Sequence, residues 1–97
     1  MDTREAQDIM KRIYFDRDKA NGIEMTLLRT SEELRELSDA IMSGKNKEEV
    51  SREIADLFAW VCSLANLLDI DLSEALYEKY PNVCSKCGKS PCACPDI

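Results

Sequence analysis

Apolar side chains recur every three or four residues along most of the chain, and no stretch alternates with a period of two, so the pattern predicts helices joined by short turns and no strands. Ala6, Ile9, Met10 and Ile13 mark a first helix over roughly residues 3–20, which Asn21-Gly22 is expected to stop in the left-handed conformation. Ile23, Leu27, Leu34, Leu37 and Ile41 form the stripe of a second helix, closed by Ser43-Gly44. Asn46 followed by Glu49 reads as the cap of a third helix reaching about Leu68. Its stripe of Val50, Ile54, Leu57, Phe58, Val61, Leu64, Ala65 and Leu68 is the strongest in the chain and is expected to be core. Ala55, Ala59 and Cys62 form a second line on that helix, small enough to let another helix come close. Asp71 with Glu74 caps a short last helix that Pro81 stops. The fold class is therefore all-α. An antiparallel hairpin of the second and third helices forms the core of a bundle, and the two apolar sides of the third helix predict that another copy of the chain completes it. Residues 1–81 form the helical domain and residues 82–97 a short cysteine-rich tail.

Composition narrows the setting. A chain of 97 residues is one domain, small enough to need a partner or a metal for full stability. Its 13 basic against 19 acidic residues give a net charge of −6, which argues against nucleic acid as a partner. No apolar run approaches the roughly 20 residues of a membrane span, and the N-terminus lacks the basic-then-apolar order of a signal peptide, so a soluble, cytoplasmic protein is expected. Four of the five cysteines lie between Cys84 and Cys94 in the pattern C-x2-C-x4-C-x-C. In a reducing compartment Cys84, Cys87, Cys92 and Cys94 read as a closed structural zinc site, against the alternatives of free thiols or disulfides. Such a site serves structure or recognition rather than catalysis. Cys62, within an apolar helix, reads as a small buried residue.

The acidic residues change the picture most. Glu33 and Glu36 on the second helix, and Glu53 and Asp56 on the third, each lie three residues apart and project from one face. At about 100° per residue both pairs sit on the same flank of their apolar stripes, so stripe-to-stripe packing sends all four to one side of the hairpin. Folding at Gly44-Lys45 also brings Glu36 level with Glu53 and Glu33 level with Asp56. Like charges this close oppose folding, and a divalent cation compensates them. Donors made only of oxygen favour Mg²⁺, or Mn²⁺, over zinc. The plainer alternative is that Arg29 to Glu33 and Arg52 to Asp56 are helical ion pairs, or that Thr30 and Glu33 form a capping box. Trp60, one turn beyond Asp56, is placed either to stack on a nucleobase or to pack in the core.

The spacing E-E-x-x-E over residues 32–36, then 16 residues, then E-x-x-D over residues 53–56 resembles the signature of the MazG-like, all-α nucleoside triphosphate pyrophosphohydrolases. Tyr14, Arg17 and Asp18, and Ile70-Asp71-Leu72 leading into Lys79, are similar to weaker motifs of that family. Its Lys and Asn motif after the last helix is only partly present, as Lys79 and Asn82. The resemblance implies a homodimer or homotetramer that holds Mg²⁺ on the two acidic helices. It implies cleavage of a nucleoside or deoxynucleoside triphosphate to the monophosphate and pyrophosphate, in nucleotide-pool house-cleaning. Glu32, matching the family's first Glu, is then a candidate for orienting water. Lys79, Arg17 and Lys19 are candidate phosphate partners, because a triphosphate demands more positive charge than one ion brings. The competing functional class is a non-catalytic helical adaptor whose zinc-stabilised tail binds a partner.

Overall fold

A computed structural model describes residues 1–96 of the chain. Three helices follow one another: α1 (Thr3–Met42), α2 (Lys47–Leu67) and α3 (Leu72–Lys79), with no strand among the described residues. Each begins where a short polar side chain can satisfy otherwise unpaired backbone amides. Asp2 and Glu5 cap α1 reciprocally, Asn46 accepts from the Glu49 amide at 2.9 Å, and Asp71 accepts from the Glu74 amide at 3.0 Å. Gly44, with φ 77°, turns the chain between α1 and α2.

The predicted first and second helices are the two limbs of α1, divided by a single residue. Gly22 has φ 87° and ψ 168°. The positive φ was expected, but the extended ψ makes this a kink and not a left-handed stop, so the second limb restarts at once. Thr26, almost fully buried, donates its hydroxyl to the Gly22 carbonyl at 2.8 Å, and Thr30 repeats the contact to Thr26. These bonds tie the restart to the side of the limb that faces α2.

Packing corrects the expectation of stripe against stripe. The more buried line of the second limb is Thr26, Thr30, Glu33, Leu37 and Ala40, whereas Leu34 is 56% exposed and Ile23, Leu27 and Ile41 are exposed with it. On α2 the buried residues are Cys62, Ser63 and Ala65; of the predicted core stripe Ala65 is buried, Val50, Leu57, Val61 and Leu64 are half-buried, and Ile54, Phe58 and Leu68 are exposed. Thr26, Glu33 and Ala40 lie one residue behind Leu27, Leu34 and Ile41 while Leu37 belongs to both lines, so the contact face of this limb is turned by roughly 60° from the apolar stripe. Small side chains at Ala40, Cys62, Ser63 and Ala65 account for the close approach. At the far end Gln7, 9% exposed, holds the first limb to the end of α2. It donates to Asn66 Oδ1 at 3.0 Å and to the Ile70 carbonyl at 2.7 Å, and accepts from the Leu72 amide at 2.9 Å.

The Gly22 conformation lies in a region that side chains bearing a Cβ rarely enter, even though nothing lies within 4 Å of where that atom would stand. Gly22→Ala is therefore expected to cost about 1–3 kcal/mol in denaturant unfolding while leaving the helical spectrum intact. A Gly22→Ala variant as stable as the parent would show that α1 accommodates a different kink.

Candidate metal centre

Turning the contact face by one residue carries two acids off the flank and into the seam. Carboxylate oxygens of Glu33, Glu53 and Asp56 all lie within 4.8 Å of one another. Glu33 and Glu53 are half-buried, and one oxygen of each, Oε2 in both, is shut from solvent with no hydrogen-bond partner. Burial is the main cause that lifts the Glu33 carboxyl to about 7, helped by a side-chain hydrogen bond with Glu36 and by the charges of Glu36, Asp56 and Glu53. Glu36 lies outside the tight cluster, on an exposed groove that it shares with Asp39, Ser43, Lys45, Glu49 and Glu53. Four sequence-predicted residues meet here, three as a tight cluster and Glu36 beside it.

The helical ion pairs that offered a plainer explanation are arranged otherwise. Arg29 reaches Glu32 at 3.0 Å and not Glu33. Glu32 is consequently engaged on the surface, outside the tight cluster.

Next to the cluster, Asp56 forms one wall of a cavity of about 90 Å³ completed by Tyr14, Arg17, Ala59, Trp60 and Ser63. Arg17 is held from three directions. Its guanidinium lies 3.9 Å from the Tyr14 ring centre and 4.5 Å from that of Trp60, and it donates through Nε and Nη2 to Asp18 Oδ1 at 3.0 and 2.8 Å. Cation–π contacts and a charge-assisted hydrogen bond both favour this fixed placement. Trp60 accordingly carries a cation on its ring and walls the cavity. Asp18 is only 2% exposed. Its structural weight, and that of Tyr14, is not evident from periodicity; the signal available in the sequence was an Arg-Asp pair three residues after an aromatic. Lys19 lies over Phe15 at 5.6 Å and Lys79 over Tyr80 at 5.7 Å, and neither lines this cavity.

In the tail, the Sγ atoms of Cys84, Cys87, Cys92 and Cys94 also lie within 4.8 Å of one another, and all are unpaired as disulfides. Backbone amides of Cys87 and Lys86 pull the Cys84 thiol down to about 6, whereas hydrogen bonds with the other cysteines push Cys94 up to about 11. Cys62 is fully buried, and burial raises its thiol.

Among the described residues no helix is long and apolar enough to cross a membrane. No curated protein matches the chain. A family model described as the MazG nucleotide pyrophosphohydrolase domain matches residues 21–88, from the kink of α1 to the middle of the cysteine cluster. That span includes all four acidic residues of the centre and most of the chain, and the chain therefore belongs to the MazG nucleotide pyrophosphohydrolase domain family.

Proposed function

We propose that this chain is a Mg²⁺-dependent pyrophosphohydrolase that converts a nucleoside or deoxynucleoside triphosphate and water to the monophosphate and pyrophosphate. The observation that carries this reading is the pair of buried, unpartnered oxygens on Glu33 and Glu53. Buried carboxylate oxygens without hydrogen bonds are costly, and an oxygen-only donor set suits Mg²⁺, with Mn²⁺ as a substitute. Glu33, Glu53 and Asp56 would hold the ion, with Glu36 beside them. When bound, it supplies positive charge to the phosphates and a lowered pKa for water. Arg17 sits beside Asp56 with Nη1 not engaged by Asp18, and that group would bind a phosphate oxygen. Tyr14 and Trp60 would keep the guanidinium flat while it does so. Lys19 and Lys79 lie outside the Arg17 cavity and Glu32 is paired with Arg29, so any part of theirs toward phosphate or water would be played from outside the centre. An adaptor gives no reason to bury two unpartnered carboxylate oxygens.

A panel of triphosphates assayed with Mg²⁺, with products separated, tests the activity. Glu53→Gln is expected to lower turnover by at least about 100-fold, the loss of a few kcal/mol of charge stabilisation. The same variant should be no less stable than the parent when both are metal-free at pH 8, since it relieves like-charge repulsion. Arg17→Lys should raise KM, because a point charge cannot reproduce the stacked, forked guanidinium. Turnover within a few-fold of the parent in Glu53→Gln, or hydrolysis indifferent to added Mg²⁺, would overturn the assignment.

The raised Glu33 carboxyl fixes a sign for pH dependence. An acid whose folded-state pKa lies above its unfolded value contributes stability below the unfolded value and loses it as pH rises through the folded one. For Glu33 that window runs from the ordinary value of 4.5 to about 7. Metal-free protein is expected to melt lower at pH 8 than at pH 5.5, and millimolar Mg²⁺ should restore stability mainly at the higher pH. Thermal melts across that range, with and without Mg²⁺, provide the check, and a metal-free melting point that climbs toward pH 8 would count against it.

We further propose that the chain works as a homo-oligomer. Leu34, Ile41, Ile54 and Phe58 are exposed on one chain, large apolar side chains that a second copy would cover. Sedimentation should give a dimer or tetramer at micromolar concentration, whereas a well-folded monomer would refute it.

A further inference from the structure

The cysteine tail plays no part in the proposed hydrolysis, and the family match ends at residue 88, between Cys87 and Cys92, so the match does not contain the whole quartet. We propose that Cys84, Cys87, Cys92 and Cys94 bind one zinc ion per chain, and that this ion is what folds residues 84–94.

Geometry is the first ground. Four thiolates about 2.3 Å from a tetrahedral zinc stand about 3.8 Å apart. Cys84 Sγ lies 3.8 Å from Cys94 Sγ, and all four sulfurs fall within 4.8 Å of one another. A disulfide would require about 2.05 Å. The backbone is also arranged for sulfurs that carry charge: the amides of Lys86, Ala93 and Cys94 donate to Cys84, Cys87 and Cys92 at 3.4, 3.3 and 3.3 Å. Amide donors of this kind stabilise and orient metal-bound thiolates. Gly88, with φ 71°, turns the chain straight after Cys87, and its amide bonds the Cys84 carbonyl at 2.9 Å while the Cys84 amide bonds the Lys89 carbonyl at 3.0 Å. These bonds close a knuckle that presents Cys84 and Cys87 together.

The second ground is what the segment lacks. It contains no helix or strand, and among its residues only Cys84, Cys87 and Cys94 are half-buried, the others being exposed. So little buried surface cannot offset the entropy of ordering the segment, whereas a structural zinc contributes folding energy directly. Lys86 and Lys89, inside the same turn, offset part of the negative charge that four thiolates leave on a divalent ion. Four soft ligands also keep this ion distinct from the one sought by the carboxylates.

The test uses the full chain purified under reducing conditions and supplemented with zinc, its metal content read by elemental mass spectrometry. One zinc per chain is expected, retained in Glu53→Gln and lost in the double variant Cys92→Ser, Cys94→Ser. That double variant should keep the helical circular dichroism spectrum, which separates loss of the ion from loss of the fold. Replacing zinc with Co²⁺ should give the intense visible absorption of a tetrahedral tetrathiolate in the parent and not in the double variant. Protein without zinc whose four tail thiols react freely, protein carrying disulfides among them, iron in place of zinc, or zinc retained by the double variant would each overturn the proposal. None of these outcomes depends on whether the chain hydrolyses nucleotides.

Discussion

Ionised carboxylates resist leaving water, at an effective cost of several kcal/mol each, yet Glu33 and Glu53 occupy the faces by which α1 and α2 pack. The arrangement of the rest of the chain follows from keeping that seam closed around them. Thr30 and Leu37 flank Glu33, and Val50 and Leu57 flank Glu53, all half-buried, and one oxygen of each acid is shut from solvent without a partner. Packing Leu34 against Ile54 in place of the acids would bury more apolar surface but leave the carboxylates on a wet flank, without desolvation. Burial is the largest cause of the rise of the Glu33 carboxyl to about 7, which is the cost of holding that acid in the seam.

Holding a repulsive seam requires constraint from outside it, and the first limb of α1 provides this at two points. Near the chain start, Gln7 and Asn66 exchange hydrogen bonds that fasten the limb to the end of α2. Closer to the acids, Arg17 is stacked between Tyr14 of its own limb and Trp60 of α2. The guanidinium thus joins the two helices and brings a positive charge next to Asp56. Both contacts need the limb to leave the line of the second limb, which the Gly22 kink permits. Asp18 completes the arrangement by occupying two donors of Arg17, which keeps the guanidinium from pairing with Asp56 through all its donors.

Helix existence, and every terminus except the stop expected at Gly22, were legible in the sequence because capping residues and apolar periodicity are local signals. Asn46, Asp71 and Gly44 act where their chemistry says they must. The grouping of the acids was legible as well, since helical spacing and hairpin register place Glu33, Glu53 and Asp56 at neighbouring heights whichever way the helices rotate. Rotation itself was not legible. Hydrophobicity assigns Leu34 and Ile54 to the nearest helix, but a pattern in one chain does not say whether an apolar stripe meets the other half of the hairpin or some other surface. The Arg17 stack was out of reach for a similar reason, as it joins Arg17 to Trp60, far along the chain, and both residue types are common on any helix.

A helix has only one circumference to divide, and this division ties the candidate centre to the outer surface. Once Thr26, Glu33 and Ala40 face α2, Leu27, Leu34 and Ile41 must face elsewhere by about 100°, and the same holds where Glu53 takes the seam position next to Ile54. The exposed apolar surface is therefore the complement of the buried acids and not a separate feature added to them. Covering that surface from outside would press α1 and α2 together without touching a carboxylate, supplying the hydrophobic force that the seam itself forgoes. With acids in its seam, this fold has its larger apolar side chains on the adjacent face of the same helices, and that face is where further apolar stabilisation has to come from.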